Sequence, residues 1–203
     1  TDTDSDLLVH YNFNNNLNDV KNSNGDGRYN LVNTGGTIKF AQGCGYGNAG
    51  YFDATTGYAY NNNFISDNIP TLTGNFTIAM WVNGDVDNGA YSAVYASGNK
   101  GYANHQIDVD SKNTPQLRLL MYNNGSQLGI EDPAQITNGQ WYHVAAVHDD
   151  QNNFTLYKNG VAVQTKTAAS TFTQFRVGTN RKANNNWKGY IDEFKVYGRA
   201  LSA

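Results

Sequence analysis

Asp192 poses the first chemical question. It stands in Trp187-Lys-Gly-Tyr-Ile-Asp-Glu-Phe-Lys-Val-Tyr197, an extended stretch whose two-residue period sets Tyr190, Phe194 and Val196 on the carboxylate's own face, the face expected to turn inward. An unpaired carboxylate is costly to strip of water, so this acid needs a hydrogen-bond network, a cation or a metal. A second concentration of oxygen-bearing side chains runs from 14 to 27, Asn-Asn-Asn-Leu-Asn-Asp-Val-Lys-Asn-Ser-Asn-Gly-Asp-Gly. Its glycines permit positive φ, and such a loop can wrap a hard cation; the same residues also build metal-free turns, and loop chemistry alone favours the plain turn. His143 and His148 are offset by five and fall on opposite faces of one strand, which reads as structural rather than as a metal pair. Cys44, set between glycines, reads as a small buried hydrophobe.

The elements that must position these residues are strands. Only 15% of the 203 residues are charged, well below the usual share of roughly 25%, and the chain has just two glutamates, Glu131 and Glu193. Tyr, Thr, Phe, Val, Asn and Gly are plentiful, an all-β composition. Leu7, Val9, Tyr11 and Phe13 alternate with Leu8, His10 and Asn12, predicting a half-buried first strand. Residues 76–82 are apolar on both faces and predict a central strand with Trp81 in the core. Further strands are expected at 91–97, 105–110, 116–122, 141–149 and 172–178, with a turn at Gly129-Ile-Glu-Asp-Pro133. Asn159-Gly160 between two extended runs is a type I′ hairpin signature, because both turn residues need positive φ. The fold class expected is a two-sheet antiparallel β-sandwich, one domain over 6–203, with 1–5 as a linker remnant.

A net charge of -3 leaves no broad basic field, which argues against nucleic acid. No apolar run approaches the ~20 residues that span a bilayer, and no basic-then-apolar segment opens the chain, so a mature or excised module is expected and no membrane insertion.

Phe76-Thr-Ile-Ala-Met-Trp-Val, Trp141-Tyr-His-Val-Ala, Leu156-Tyr-Lys-Asn-Gly-Val and Gly189-Tyr-Ile-Asp-Glu-Phe-Lys-Val-Tyr-Gly-Arg-Ala-Leu-Ser occur in the order and spacing of laminin-G-like, concanavalin A-like jelly rolls related to pentraxins. Leu8-Val-His-Tyr-Asn-Phe with Asn18-Asp19, and Gly47-Asn-Ala through Phe52-Asp53, extend the resemblance over nearly the whole chain. It implies terminal strands lying side by side and a structural calcium ion shared between the 14–27 loop and Asp192. Carried over, Asp19 and Asp192 are the anionic ligands, with Asn14 and Asn24 adding amide oxygens. Many relatives have an acid where Asn14 stands, which implies one charge fewer here. Relatives also continue into a short helical end, so a module of a longer, multimodular secreted or cell-surface protein is expected.

The function expected is non-catalytic binding of a polysaccharide or oligosaccharide. Sugars are met by aromatic faces and by fixed amide, carboxylate and guanidinium groups. The loops at 97–106 and 179–188 offer Tyr102, His105, Arg181, Asn185 and Trp187, while Arg118 projects from a sheet face with Tyr122 nearby. For an acidic polymer, Arg118, Arg181 and Lys182 are the charge partners. Trp187 has a second reading as a cover on the sandwich edge, and Arg181 as a solvated loop charge. No catalytic residue is assigned: glycoside hydrolysis takes two carboxylates about 5 to 9 Å apart, and neither the Glu-x-Asp-x-x-Glu run of jelly-roll glucanases nor the Gln-Ile-His strand of alginate lyases is present. Gln106-Ile107 is followed by Asp108. A protein-binding adhesion or spacer domain is the alternative.

Overall fold

Alternation writes the sheet faces. In β1 (Leu7–Tyr11) residues 7, 9 and 11 are buried while 8 and 10 are partly exposed, as the hydrophobic period dictates. The computed structural model describes residues 4–21, 25–34, 38–45, 47–54, 59–61, 71–86, 89–99, 102–123 and 126–202. Among these no helix occurs, and after β1 come β2 (Val32–Asn33), β3 (Lys39–Gln42), β4 (Asn48–Asp53), β5 (Ala59–Asn61), β6 (Phe76–Gly84), β7 (Tyr91–Asn99), β8 (Tyr102–Asp110), β9 (Gln116–Asn123), β10 (Ser126–Gln135), β11 (Tyr142–His148), β12 (Asn153–Lys158), β13 (Val161–Thr167), β14 (Phe175–Val177) and β15 (Lys188–Tyr197). One sheet runs β13-β12-β11-β6-β15-β4-β3 with β1 also on β15, and the other runs β10-β9-β8-β7-β14-β5-β2. All named strand pairs are antiparallel. The fold is the expected β-sandwich jelly roll.

The space between the sheets is filled by rings. Tyr11, Tyr95, Phe172, Phe175 and Phe194 are fully buried, with Phe175 stacked on Phe194 at 5.6 Å. Interdigitated rings in offset or tilted contact add to the area they remove from water. The Asn-Gly hairpin forms as its signature requires, with Asn159 at φ 52° and Gly160 at φ 79° joining β12 to β13.

Four expectations change. Tyr190 is partly exposed on the outer face while Ile191, Asp192, Phe194 and Val196 are buried, because a bulge between Asp192 and Lys195, with Glu193 at φ 49°, resets the alternation. Trp81 is only partly buried and lies across from His143 at 5.3 Å on the outer face, since Met80 and Val82 take the inward positions. The segment 129–133 continues β10 rather than turning, its irregularity absorbed as a register shift between Glu131 and Gln135. Asp4 belongs to the domain and not to a linker: its carbonyl accepts from Leu7 N–H and Lys21 Nζ, and its carboxylate pairs with Arg199 at 2.7 Å.

Candidate functional site

The outer face of the second sheet carries the polar cluster. Along β8, Ile107 and Val109 point into the core, so Gln106, Asp108 and Asp110 point outward; along β9, Arg118, Leu120 and Tyr122 do the same beside them. Register sets Asp108 opposite Arg118 and Gln106 opposite Leu120. Arg118 donates from Nε to Asp108 Oδ1 at 2.8 Å and from Nη2 to Oδ2 at 3.0 Å, and from Nη1 to Asp110 Oδ2 at 3.2 Å. Its guanidinium also lies 4.7 Å from the Tyr91 ring centre, an arrangement that suits the planar cation. Burial raises the Asp108 carboxyl pKa although Arg118 pulls it the other way, and for Arg118 the two aspartates outweigh the burial that works against its charge.

The 179–186 loop closes one side of this face, forming a cavity of about 290 Å³ lined from below by Gln106, Asp108, Arg118 and Tyr122 and from the side by Asn180, Arg181, Asn184 and Asn185. Amides hold the loop in shape. Asn180 Oδ1 accepts from the N–H groups of Lys182 and Asn184, Asn180 Nδ2 donates to Asn184 Oδ1, and Thr179 Oγ1 donates to Asn186 Oδ1. Side chains that mimic backbone turns in this way fix loops without a core. Arg176 Nη1 donates to the Arg181 carbonyl at 2.7 Å, and the Arg181 guanidinium lies over Tyr122 at 4.1 Å from the ring centre. The loop therefore presents a stacked guanidinium and several amides to the cavity from a braced backbone.

The expected ligand residues separate accordingly. Arg118, Arg181 and Asn185 come together at the cavity. His105 does not: it is fully buried between the sheets, bonded to Tyr95 Oη and Ser170 Oγ and stacked on Phe76 at 5.4 Å, because β8 parity turns odd residues inward. Trp187 is likewise fully buried, donating from Nε1 to the Tyr190 carbonyl at 3.3 Å; its indole occupies the space that a Cβ on Gly84 would need. Tyr102 is placed only as a backbone position of β8 paired with Asn99, and its side chain lies outside the described residues. Gln106, Asp108 and Tyr122 complete the site. The signal for Gln106 and Asp108 is the alternation Gln-Ile-Asp-Val-Asp, which sends them to the face that Arg118 and Tyr122 share.

The expected calcium ligands also divide. On one edge β15 pairs first with β4, through Lys188–Ile191, and then with β1, from Phe194 onward. Asp192 sits at the hand-over. It is fully buried, with Oδ2 accepting from Cys44 N–H at 3.2 Å and Oδ1 from Glu193 N–H at 2.8 Å; burial raises its pKa, and burial with the neighbouring Asp192 charge pushes the Cys44 thiol up to about 12. Asn14 Oδ1 accepts from Asn48 N–H at 2.7 Å. Cβ atoms on Gly43 and Gly47 would fill the positions of the Asp192 and Asn14 oxygens, so the two side chains meet the same β3–β4 turn and the oxygen chemistry suits a hard cation. Asp19 is engaged elsewhere, its Oδ1 accepting from His10 N–H and Lys21 N–H at 2.9 and 3.1 Å. Asn24 lies outside the described residues, among which no group of three or more His, Cys, Asp or Glu is gathered for a metal.

This jelly roll with a braced polar cavity on one sheet face matches the concanavalin A-like lectin/glucanases superfamily, through its Laminin_G_3 family, over residues 53–203; the chain belongs to that family. Among solved structures it is similar to domain 4 of AbnA, a GH43 extracellular arabinanase from Geobacillus stearothermophilus in complex with arabinotriose, with 22% identity, a TM-score of 0.70, and coverage of 97% of this chain and 94% of that one. It is similar too to the receptor binding domain of botulinum neurotoxin C/D mosaic serotype, at 13% identity and a TM-score of 0.67, and to the binding domain of botulinum neurotoxin DC in complex with rat synaptotagmin II, at 14% and 0.66. In both toxin cases the match covers 97% of this chain and 49% of the other, so this chain spans about half their length. At these identities the likeness is one of fold. No curated protein matches the sequence, and no helix among the described residues is long and apolar enough to cross a membrane.

Proposed function

We propose that the chain is a non-catalytic carbohydrate-binding module of an extracellular, multimodular protein, and that the cavity between β8, β9 and the 179–186 loop receives an oligosaccharide segment of a polysaccharide. The observation that carries this reading is Arg181 stacked on Tyr122 above a floor of buried amide, carboxylate and guanidinium groups. Sugar hydroxyls need fixed donors and acceptors, and here the groups are ordered before any ligand arrives. The related AbnA domain, solved with arabinotriose, supports the class of ligand. Binding is assigned rather than hydrolysis because the floor's acids, Asp108 and Asp110, both pair with Arg118, which does not leave the protonated acid and separate base that glycoside cleavage uses.

A structural calcium ion belongs to the same proposal, held by Asn14 and Asp192 at the β3–β4 turn. It would supply positive charge to the buried carboxylate and fasten the turn to β15.

The test is affinity electrophoresis and calorimetry against plant and algal polysaccharides and neutral oligosaccharides, with and without a chelator. Retardation that Arg181→Ala abolishes is expected. Absence of binding to every saccharide, together with capture of a protein partner, would replace this reading with the adhesion or spacer alternative.

A further inference from the structure

Gln106 leaves a buried acceptor unpaired at the floor of the cavity. Its Nε2 donates to Asp108 Oδ2 at 2.7 Å, and that bond fixes which way the amide faces: turned over, Oε1 would lie against a carboxylate oxygen. Oε1 therefore faces away from Asp108. The residue is 3% exposed and lines the cavity, and Oε1 has no hydrogen-bond partner in the protein. A buried acceptor in this position calls for a donor, since buried polar groups are almost always paired.

The nearby charges narrow the donor's chemistry. Arg118, the floor's cation, already donates from three nitrogens to Asp108 and Asp110 and faces Glu131 in register from β10. The cations that remain, Arg181 and Lys182, are on the loop at the cavity's side. A carboxylate lowered to the floor would meet the Gln106 oxygen and the Asp108 carboxylate, with Arg118 already answered by its aspartates. A hydroxyl meets Oε1 as a donor and carries no charge.

Resting on the groove reading above, we infer that this cavity selects a neutral saccharide, one of whose hydroxyls donates to Gln106 Oε1, and discriminates against uronic-acid sugars at its floor. Arg118 thus shapes the floor and does not serve as the charge partner of an acidic polymer.

The experiment titrates the full chain calorimetrically with arabinotriose, xylotriose and galactotriose, and with trigalacturonate as the acidic probe. At least one neutral trisaccharide binds, and trigalacturonate binds at least tenfold more weakly. Gln106→Met, close in shape and without the acceptor, loses at least tenfold in affinity for that neutral sugar. Monodeoxy analogues of it supply a readout that does not depend on the variant's folding: one analogue loses affinity for the wild-type chain and, where Gln106→Met melts like wild type, shows no further loss against it. Equal or tighter binding of trigalacturonate, or an analogue series in which no hydroxyl couples to Gln106, overturns the inference while leaving the groove in place, provided that Arg181→Ala still abolishes binding. If Arg181→Ala leaves saccharide binding intact, or no saccharide binds, the groove reading itself falls and the inference with it.

Discussion

Arg118 grips Asp108 with two near-parallel hydrogen bonds, Nε to Oδ1 at 2.8 Å and Nη2 to Oδ2 at 3.0 Å, with both side chains almost wholly out of solvent. Such a pair gains little over apolar residues of the same volume, yet removing one member strands the other. Here Asp110 still answers one Arg118 nitrogen, so Asp108→Ala is expected to lower stability by about 3 kcal/mol, the lower end for a broken buried pair, measured by urea unfolding. The double replacement Asp108→Leu with Arg118→Leu should recover most of that loss, and a double variant as unstable as the single one would contradict this account.

His105 gives the fold an acid-sensitive core. Burial, with a smaller contribution from the His148 charge, holds its pKa down to about 3 from the ordinary 6.5. Between those values the unfolded chain carries a proton that the folded chain does not, so stability falls as pH drops from 6.5 towards 3, by up to about 1.4 kcal/mol per pH unit, and this contribution is constant above 6.5. Asp108, whose carboxyl is raised chiefly by burial, has the opposite sign: its favourable contribution is present below the unfolded carboxylate value and is lost as pH rises through the folded one. The difference between wild type and His105→Gln isolates the histidine. A flatter acid limb in the variant is expected, and parallel limbs would refute the assignment.

Arg181 should matter for ligand and little for fold. Its guanidinium lies on Tyr122 at the side of the cavity, so Arg181→Ala is expected to cost at least tenfold in saccharide affinity, about 1.4 kcal/mol. Thermal stability should move within the range of surface substitutions, roughly ±0.5 kcal/mol. A large drop in melting temperature with unchanged affinity would make it a structural brace.

The calcium proposed at Asn14 and Asp192 makes a linked prediction. A ligand that binds only the folded state stabilises it by about 2.7 kcal/mol at a hundredfold excess over its dissociation constant. A chelator should then lower the melting temperature of the wild type, added calcium should restore it, and Asp192→Ala should melt lower and ignore the chelator. A wild-type melt indifferent to chelator removes the metal and leaves Asp192 as a hydrogen-bonded clasp for Cys44 and Glu193.

Much of this was written in the sequence because it depends on local rules. The Asn159-Gly160 turn, the inward set Leu7, Val9 and Tyr11 and the central position of β6 follow from turn chemistry and period. Tyr190 lies opposite to its expected face because a bulge with positive φ at a glutamate leaves no compositional mark, and one such residue flips everything beyond it. The types of His105 and Trp187 suit sugars, but strand parity, which puts His105 on the face opposite Gln106, overrides type, and Trp187 is buried. Arg118 and Tyr122 were visible as one face of β9, but the pairing that brings Asp108 to Arg118 is a long-range register, which neither strand specifies alone.

The adjacency of β1 and β15 sets where the two ends of the chain lie. Gly198 N–H bonds the Asp6 carbonyl at 2.8 Å and Arg199 reaches Asp4, so the chain enters and leaves at one corner. A circular permutant, with a short linker joining these ends and new termini cut at Asn159-Gly160, should melt cooperatively, as far-ultraviolet circular dichroism would register. The 179–186 loop feeds into the other end of β15, ten residues away, roughly 30 Å at the rise of an extended chain. If the chain is a module of a longer protein, as proposed, it would be held at a single pivot with the 179–186 loop toward the far pole, a pendant rather than a bead threaded on a string.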